Sequence, residues 1–469
     1  MVGIVSIAII IIYNHDLLSF NLNNASFSSS SSGQQQERDI VKPSLVGLGE
    51  KNGLKVENFV AHGLFFPTSM AFVDDSNILI LEKAGQVRLI TNGVLQKQPV
   101  LTVPVDNTSE RGLLGIAVLK ASNSGGGSSG LTDKKNAGVA TTRTTIASTT
   151  ITATKVFLYF TEGNGKELLR NRIYKYDWDS TNHLLSSPKL ILDVSALPGP
   201  NHNGGKITIG PDHYLYAVIG NVNAGDSILQ NDKRGKGPHD TSVIFRIDPN
   251  NDGLPAPKNP ISSSDNNSTT NNILSRYYAY GIRNSFGITF DPITGSLWDT
   301  ENGEFAYDEI NLVQPGFNSG WQLVMGPISR SNITTKDLVN LPGSHYADPA
   351  FSWLTTIGVT DIEFLKSSKL GNRYENNIFV GDINNGNLYY FELNKDRTGL
   401  RFGYNSDYDN NEAALLSDFV ADDKAEVSTI IFGKGFGGIT DIKSGPDDGF
   451  LYILSYFNGS IYRIVPGSK

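Results

Sequence analysis

Four segments of this chain set polar side chains beside glycines. They are Glu110-Arg-Gly-Leu-Leu-Gly-Ile-Ala117, Asn201-His-Asn-Gly-Gly-Lys-Ile-Thr-Ile-Gly-Pro-Asp212, Tyr280-Gly-Ile-Arg-Asn-Ser-Phe-Gly287, and Glu301-Asn-Gly-Glu304 followed by Asp308-Glu-Ile-Asn311 and Gly316-Phe-Asn-Ser-Gly-Trp321. His202 stands just before an Asn-Gly-Gly turn, which places its ring at a strand mouth. An imidazole titrating near neutrality can serve there as a general base; the plainer alternative is a turn histidine that only holds its own loop. Arg283 and Asn284 pair a guanidinium fork with an amide, a donor set suited to an anion, or else to a surface salt bridge. Gly303 offers backbone carbonyls at close approach. Asp308 and Glu309 offer hard oxygens of the kind Ca²⁺ takes, although a neighbouring acidic pair is also at home in solvent.

The elements that would position these groups are short strands. After residue 40 there is little helical periodicity. A loose phrase recurs instead: a turn, a strand with an aromatic residue, Asn or Gly, then another strand. It occurs at 72–90, 156–160, 209–216, 290–298, 378–389 and 444–464. Glycine makes up 48 of 469 residues and aromatics 10%, the supply that many tight turns and short strands need. A fixed phrase at variable spacing predicts an all-β, six-bladed propeller from about residue 55 to the C-terminus, with loops of uneven length. A pair of β-sandwiches would give no reason for the Gly-Pro-Asp turn that twice leads into a strand. The Gly/Ser/Thr/Ala-rich stretch 122–152 is expected to be a disordered insertion, and 265–272 a shorter polar loop.

The first 20 residues contain the apolar run Ile7-Ala-Ile-Ile-Ile-Ile12, too short to span a bilayer. They are expected to form a signal peptide or membrane anchor, with a buried strand as the alternative. A flexible tether is expected over 21–54. Sequons at Asn24, Asn107, Asn266/Asn267, Asn332 and Asn458 agree with an extracellular or cell-surface location. The chain has no cysteine, which excludes disulfides, thiolate-bound zinc, iron–sulfur clusters, Cys-attached haem and a Cys nucleophile. A net charge of -8 without any long Lys/Arg run argues against nucleic acid as a partner.

Taken together, the Gly-Leu-Leu-Gly segment, His-x-Gly-Gly-basic with Gly-Pro-Asp, Gly-x-Arg-Asn, and Asp-Glu-Ile-Asn with Gly-x-Asn-x-Gly-Trp occur in an order and spacing that resemble the soluble quinoprotein glucose/sorbosone dehydrogenases, aldose sugar dehydrogenases included. The resemblance covers about residue 60 to the C-terminus. It implies a six-bladed propeller using pyrroloquinoline quinone (PQQ) and Ca²⁺. It further implies that His202 takes the proton of a sugar C1 hydroxyl, that Glu110, Arg283, Asn284 and Lys366 contact the cofactor, and that the carbonyls of Gly303 and Glu304 hold a catalytic Ca²⁺. Glu309 is assigned to a structural calcium site. The partners implied are a small sugar and an external electron acceptor.

The chain departs from the family pattern at three places. Glu110 stands where the glucose enzymes have Gln, a charge that Arg111 or a metal would have to balance beside an anionic quinone. Glu304 replaces a frequent Pro. Asp382, Asn384 and Asn385 occupy the region that supplies cofactor-binding arginines in the glucose enzymes. Two other readings therefore stand beside the dehydrogenase: a calcium-dependent propeller lactonase or other hydrolase, and a non-catalytic sugar-binding propeller at the cell surface.

Overall fold

The computed structural model describes residues 42–121, 153–163, 169–261, 272–402 and 416–467. The expected leader, most of the tether, the insertion at 122–152 and nearly all of the polar loop at 265–272 lie outside these residues.

The recurring phrase has a local cause. After the first strand of a sheet the chain must reverse within a few residues, and an aspartate fixes the reversal. Asp74, Asp212, Asp291 and Asp448 each accept, through Oδ1, the backbone N–H two residues on, at 2.9–3.2 Å. Such an Asx turn is what Asp supplies when it follows a strand. The second oxygens of Asp212 and Asp448 then take the hydroxyls of Tyr216 and Tyr452, at 2.9 and 2.6 Å. That explains why the phrase carries an aromatic residue in the next strand.

Six sheets result, each running outward from one inner strand: Pro67–Phe72, Leu113–Leu119, Ile207–Ile209, Gly287–Phe290, Val359–Phe364 and Ile439–Ser444. Each inner strand pairs antiparallel with the next strand of its sheet. The inner strands touch one another in chain order, and the last touches the first. Six hydrophobic clusters fill the wedges between adjacent sheets. One packs Trp298 and Phe351 against Val359 and Tyr389; another, closing the ring, packs Met70 and Ile78 against Tyr452 and Ile461. Each sheet is buried on both faces by its neighbours, so the arrangement is an all-β propeller. The outermost strand of the last sheet is Leu54–Val60, paired with Ser460–Pro466, so the two ends of the domain close in one sheet.

The segment expected to be tether is already structured at its end. Ser44–Leu45 pairs with Ile431–Lys434, and Leu45 is buried. The apolar edge of that sheet takes up a strand that covers its open backbone groups.

The axial channel between the inner strands is divided by charge. Lys206 lies 2.8 Å from Asp361 and 3.1 Å from Asp441; Lys443 lies 2.7 Å from Asp441 and 3.3 Å from Asp361. Asp441 also accepts from the Ser69 hydroxyl at 2.6 Å and the Met70 N–H at 2.7 Å. Glu363 and Lys366 continue the chain of charges to the C-terminal ends of the inner strands. Lys206 borders a cavity on each side, one of about 430 Å³ at the N-terminal ends of these strands and one of about 320 Å³ at the other.

Candidate active site

The larger cavity gathers the residues singled out by type and spacing. Glu110, His202, Arg283, Asn284, Gly303 and Asp308 all line it. They arrive on segments of three neighbouring sheets, those that begin at Leu113, Ile207 and Gly287, which is why groups 170 residues apart in sequence meet.

His202 has φ +59° and is followed by Gly204 at φ +59° and Gly205 at φ +104°. A Cβ on Gly204 would sit 2.6 Å from the Val218 carbonyl oxygen, so only glycine lets this turn lie against the neighbouring strand. The backbone N–H of His202 donates to Glu110 Oε2 at 2.7 Å. Its ring is held on both nitrogens, Nδ1 2.6 Å from Asn221 Oδ1 and Nε2 3.0 Å from Arg283 Nη2. Burial, and then the charge of Arg283, lowers its pKa below the ordinary value.

Arg283 is 9% exposed. Its guanidinium donates to the Asn302 carbonyl at 3.0 Å and lies over the Trp321 ring at 5.4 Å, while Nε is buried without a partner. Burial pulls its pKa down against the surrounding acids, Glu304 first among them. Asn284 Nδ2 donates to Glu110 Oε2 at 3.0 Å, and its Oδ1 accepts from the Gly204 N–H at 3.2 Å. One oxygen of Glu110 thus ties His202 to Asn284. Arg111 does not balance this carboxylate: it is buried and turned to the Ala196 carbonyl at 2.8 Å. The cations that share the cavity with Glu110 are Arg283, Lys83 and Lys206.

The Gly303 loop is fixed by Asp308. Its Oδ1 accepts from the Gly303 N–H at 2.9 Å, and its Oδ2 from the N–H groups of Ile357, Gly358 and Val359 at 2.7–3.1 Å. Four backbone donors occupy this carboxylate, so Asp308 shapes the loop instead of presenting free oxygens to a metal. A Cβ on Gly303 would fall 2.0 Å from the Ala306 carbonyl oxygen, which reserves the position for glycine. Glu304 is exposed on the same loop.

Glu309 is buried in the sheet behind the cavity. It faces Glu301 in the ladder, as Asn311 faces Asp299. Residues opposite each other, and residues two apart, share one face of a sheet, so Asp299, Glu301, Glu309 and Asn311 lie together there. Glu309 accepts from the Gly326 N–H at 2.6 Å and Glu301 from the Arg283 N–H at 2.6 Å, whereas both oxygens of Asp299 and Oδ1 of Asn311 are buried without a partner. Burial raises the pKa of all three carboxyls, that of Glu301 to about 7. Three buried carboxyls and an amide, with unused oxygens on Asp299 and Asn311, thus share one face of the sheet; hard oxygens are what a cation such as Ca²⁺ takes, but among the described residues they are not drawn together around one point as a metal's ligands are.

One more expectation is corrected. Lys366 does not reach the cavity. It pairs with Glu363 at 3.1 Å, its side chain is 52% exposed, and it borders the opposite cavity. The inner strand Val359–Phe364 runs the length of the channel, and six residues at about 3.3 Å each put its two ends roughly 20 Å apart. Asp382 is withdrawn from the cavity as well. It caps a turn through the Asn385 and Gly386 N–H groups at 2.6 and 2.9 Å, leaving Ile383 and Asn384 on the cavity wall. Sequence reasoning did not find Lys83, Asn221 or Asp299, and it took in Glu301 only as the start of the Glu-Asn-Gly-Glu segment, without a role. The signal for the last two was present as Asp-x-Glu facing Glu-x-Asn in adjacent strands.

Comparison with known proteins gives the family. The aldose sugar dehydrogenase YliI of Escherichia coli is 25% identical over 268 residues, 57% of this chain and 60% of that protein. The quinoprotein glucose dehydrogenase B of Acinetobacter calcoaceticus is 30% identical over 168 residues, 33% of this chain and 32% of that protein. The solved structure of the PQQ-bound aldose sugar dehydrogenase from Streptomyces coelicolor shares the fold with a TM-score of 0.58 at 22% identity, covering 88% of this chain and 98% of that one. The family model for glucose/sorbosone dehydrogenase matches residues 137–463, and the chain belongs to that family of sugar oxidoreductases.

Proposed function

We propose that this protein oxidises an aldose at C1 to the lactone with PQQ and Ca²⁺, passing the electrons to an external acceptor. Each of the six sheets is read as one blade, and the cavity at the N-terminal ends of their inner strands as the reaction site. The observation that carries the proposal is the pairing of His202 with Arg283 in a cavity bordered by three cations, next to a loop built around Gly303. An anionic cofactor needs such cations, and a volume of about 430 Å³ lies in the range of small-molecule sites.

When bound, PQQ supplies a two-electron acceptor for the hydride of C1. The chain does the rest. Arg283, Lys83 and Asn284 hold the anion. His202 Nε2 receives the proton of the C1 hydroxyl, which makes the oxygen a better electron donor as the C–H bond breaks. The carbonyls of Gly303 and Glu304 would hold one Ca²⁺ and the cluster around Glu309 another. Glu110 sets the backbone of His202 and the amide of Asn284. Asn384 contributes an amide where the glucose enzymes have an arginine, so the cofactor's carboxylates rest here on fewer charges.

Membership of a dehydrogenase family favours this reading over the hydrolase and the binding module. The N-terminal apolar run and the sequons support export or anchoring at the cell surface. Calorimetry with PQQ and Ca²⁺ tests the cofactor: wild type should bind PQQ, and Arg283→Ala should weaken binding at least tenfold. Absence of PQQ binding to the Ca²⁺-loaded wild type would return the hydrolase and binding readings to first place.

A further inference from the structure

The tautomer of His202 is determined by its neighbours. A guanidinium can only donate, so Nε2, 3.0 Å from Arg283 Nη2, accepts, and the ring hydrogen sits on Nδ1. Nδ1 then donates to Asn221 Oδ1 at 2.6 Å. The orientation of that amide is fixed in turn. Its Oδ1 also accepts from the Asn223 N–H at 3.2 Å, and its Nδ2 donates to the Ala224 carbonyl at 3.3 Å. Asn221 is 6% exposed, and its backbone N–H is tied to the Arg283 carbonyl at 2.9 Å. The residue behind the imidazole and the residue in front of it are therefore locked to each other.

We propose that Asn221 is the positioning residue of His202: its neutral amide fixes the Nδ1–H form, and Arg283 caps Nε2 until an anionic ligand draws the guanidinium away. The inference rests on His202 being the base of the sugar oxidation. Its chemical consequence concerns the protonated state. A carboxylate behind the ring would stabilise the imidazolium; an amide carries no charge to do so. The charged groups facing His202 are Arg283, Glu110 and Glu304. Glu110 spends its oxygen on the backbone N–H of His202 and not on the ring. The net effect of burial and Arg283 is to keep the ring neutral below its ordinary range. In the reaction Nε2 would take the C1 hydroxyl proton and the imidazolium would return it to solvent; a quinone held by Arg283, Lys83 and Asn284 would supply the acceptor for the two electrons of C1. A histidine so placed gives up that proton readily, and it stays a competent base in mildly acid solution.

The test is NMR of the ¹⁵N-histidine-labelled protein, with His202 assigned by the signal lost in His202→Gln. Wild type should show a single Nδ1–H tautomer and a titration midpoint below 6.5. Asn221→Asp, nearly isosteric, should keep the tautomer and raise the midpoint by more than one pH unit. Arg283→Gln should raise it as well, and so should PQQ added with Ca²⁺ to the wild type. The acid limb of kcat/KM should move up in Asn221→Asp by the amount read from NMR. A wild-type midpoint at or above 6.5, or an unchanged midpoint and tautomer in a folded Asn221→Asp, overturns the proposal. The expected NMR pattern in a protein that oxidises no sugar would uphold the assignment of Asn221 and remove the dehydrogenase reading, so the two fail separately.

Discussion

Replacing Lys206 by methionine should destabilise the whole propeller through a single charge. The axial network holds three lysines, 206, 443 and 366, against three acids, Asp361, Asp441 and Glu363. Burial pushes Asp441 up, but Lys206 and Lys443 outweigh it and hold the group far below the usual carboxylate range; Asp361 shares the same two lysines and stays above it. Methionine keeps the length of Lys206 and removes its charge, leaving two buried aspartates with one lysine between them. Breaking a buried pair from one side costs about 3–5 kcal/mol. At roughly 0.8 kcal/mol/K of unfolding entropy for a domain of this size, that is a fall in Tm of about 4–6 °C. Calorimetry should find this loss in Lys206→Met and in Asp361→Asn, which strands a positive charge instead. The double variant, with the charges again balanced, should recover more than half of it. A single-variant loss under about 1 °C, or additive losses in the double variant, would refute the network as the structural plug of the channel.

Two further outcomes follow from the buried acids. Ca²⁺ at 100 times its Kd for the cluster around Glu309 should stabilise by about 2.7 kcal/mol, so EDTA should lower Tm by at least about 3 °C and Ca²⁺ restore it; Asp299→Asn should shrink this response by about 3 °C, which differential scanning fluorimetry reads directly. Burial raises Asp382 from 3.8 to about 6. The unfolded chain therefore loses this proton first as pH rises, and stability falls between about pH 4 and 6, by roughly 3 kcal/mol at about 1.4 kcal/mol per unit. Asp382→Asn, which can still accept from the Asn385 and Gly386 N–H groups, should raise Tm at pH 8 and leave it unchanged at pH 4; an equal shift at both values would contradict the burial argument.

The sequence carried the parts of this fold that depend on neighbours in the chain. Asp212 and Asp448 could be recognised as turn residues, because an Asx turn needs only the two residues that follow. The glycines around His202, Arg283 and Gly303 marked close backbone approach, and the structure brings those three segments into one cavity with Glu110 and Asn284. What escaped depends on closure of the ring. Asn221 and Lys83 are lone polar residues just past a strand end, and nothing in their own surroundings shows that they face His202 or the cavity. Asp299 and Glu301 flank Thr300 in the short strand Leu297–Glu301, where two acids tell nothing until the paired strand contributes Glu309 and Asn311. Lys366 was misplaced because a motif gives order along the chain, whereas the length of the inner strand decides at which end of the channel a side chain emerges.

The account stands most directly on turnover of the PQQ- and Ca²⁺-loaded protein with an aldose carrying deuterium at C1, measured by dye reduction for the wild type and for His202→Ala. Wild type should reduce the dye only with sugar present, more slowly with the deuterated aldose, and yield the lactone. His202→Ala should bind PQQ as the wild type does and lose at least about a hundredfold in kcat, the scale of a general base. A loaded wild type that shows no aldose-dependent reduction, or a folded His202→Ala with near wild-type turnover, would contradict it.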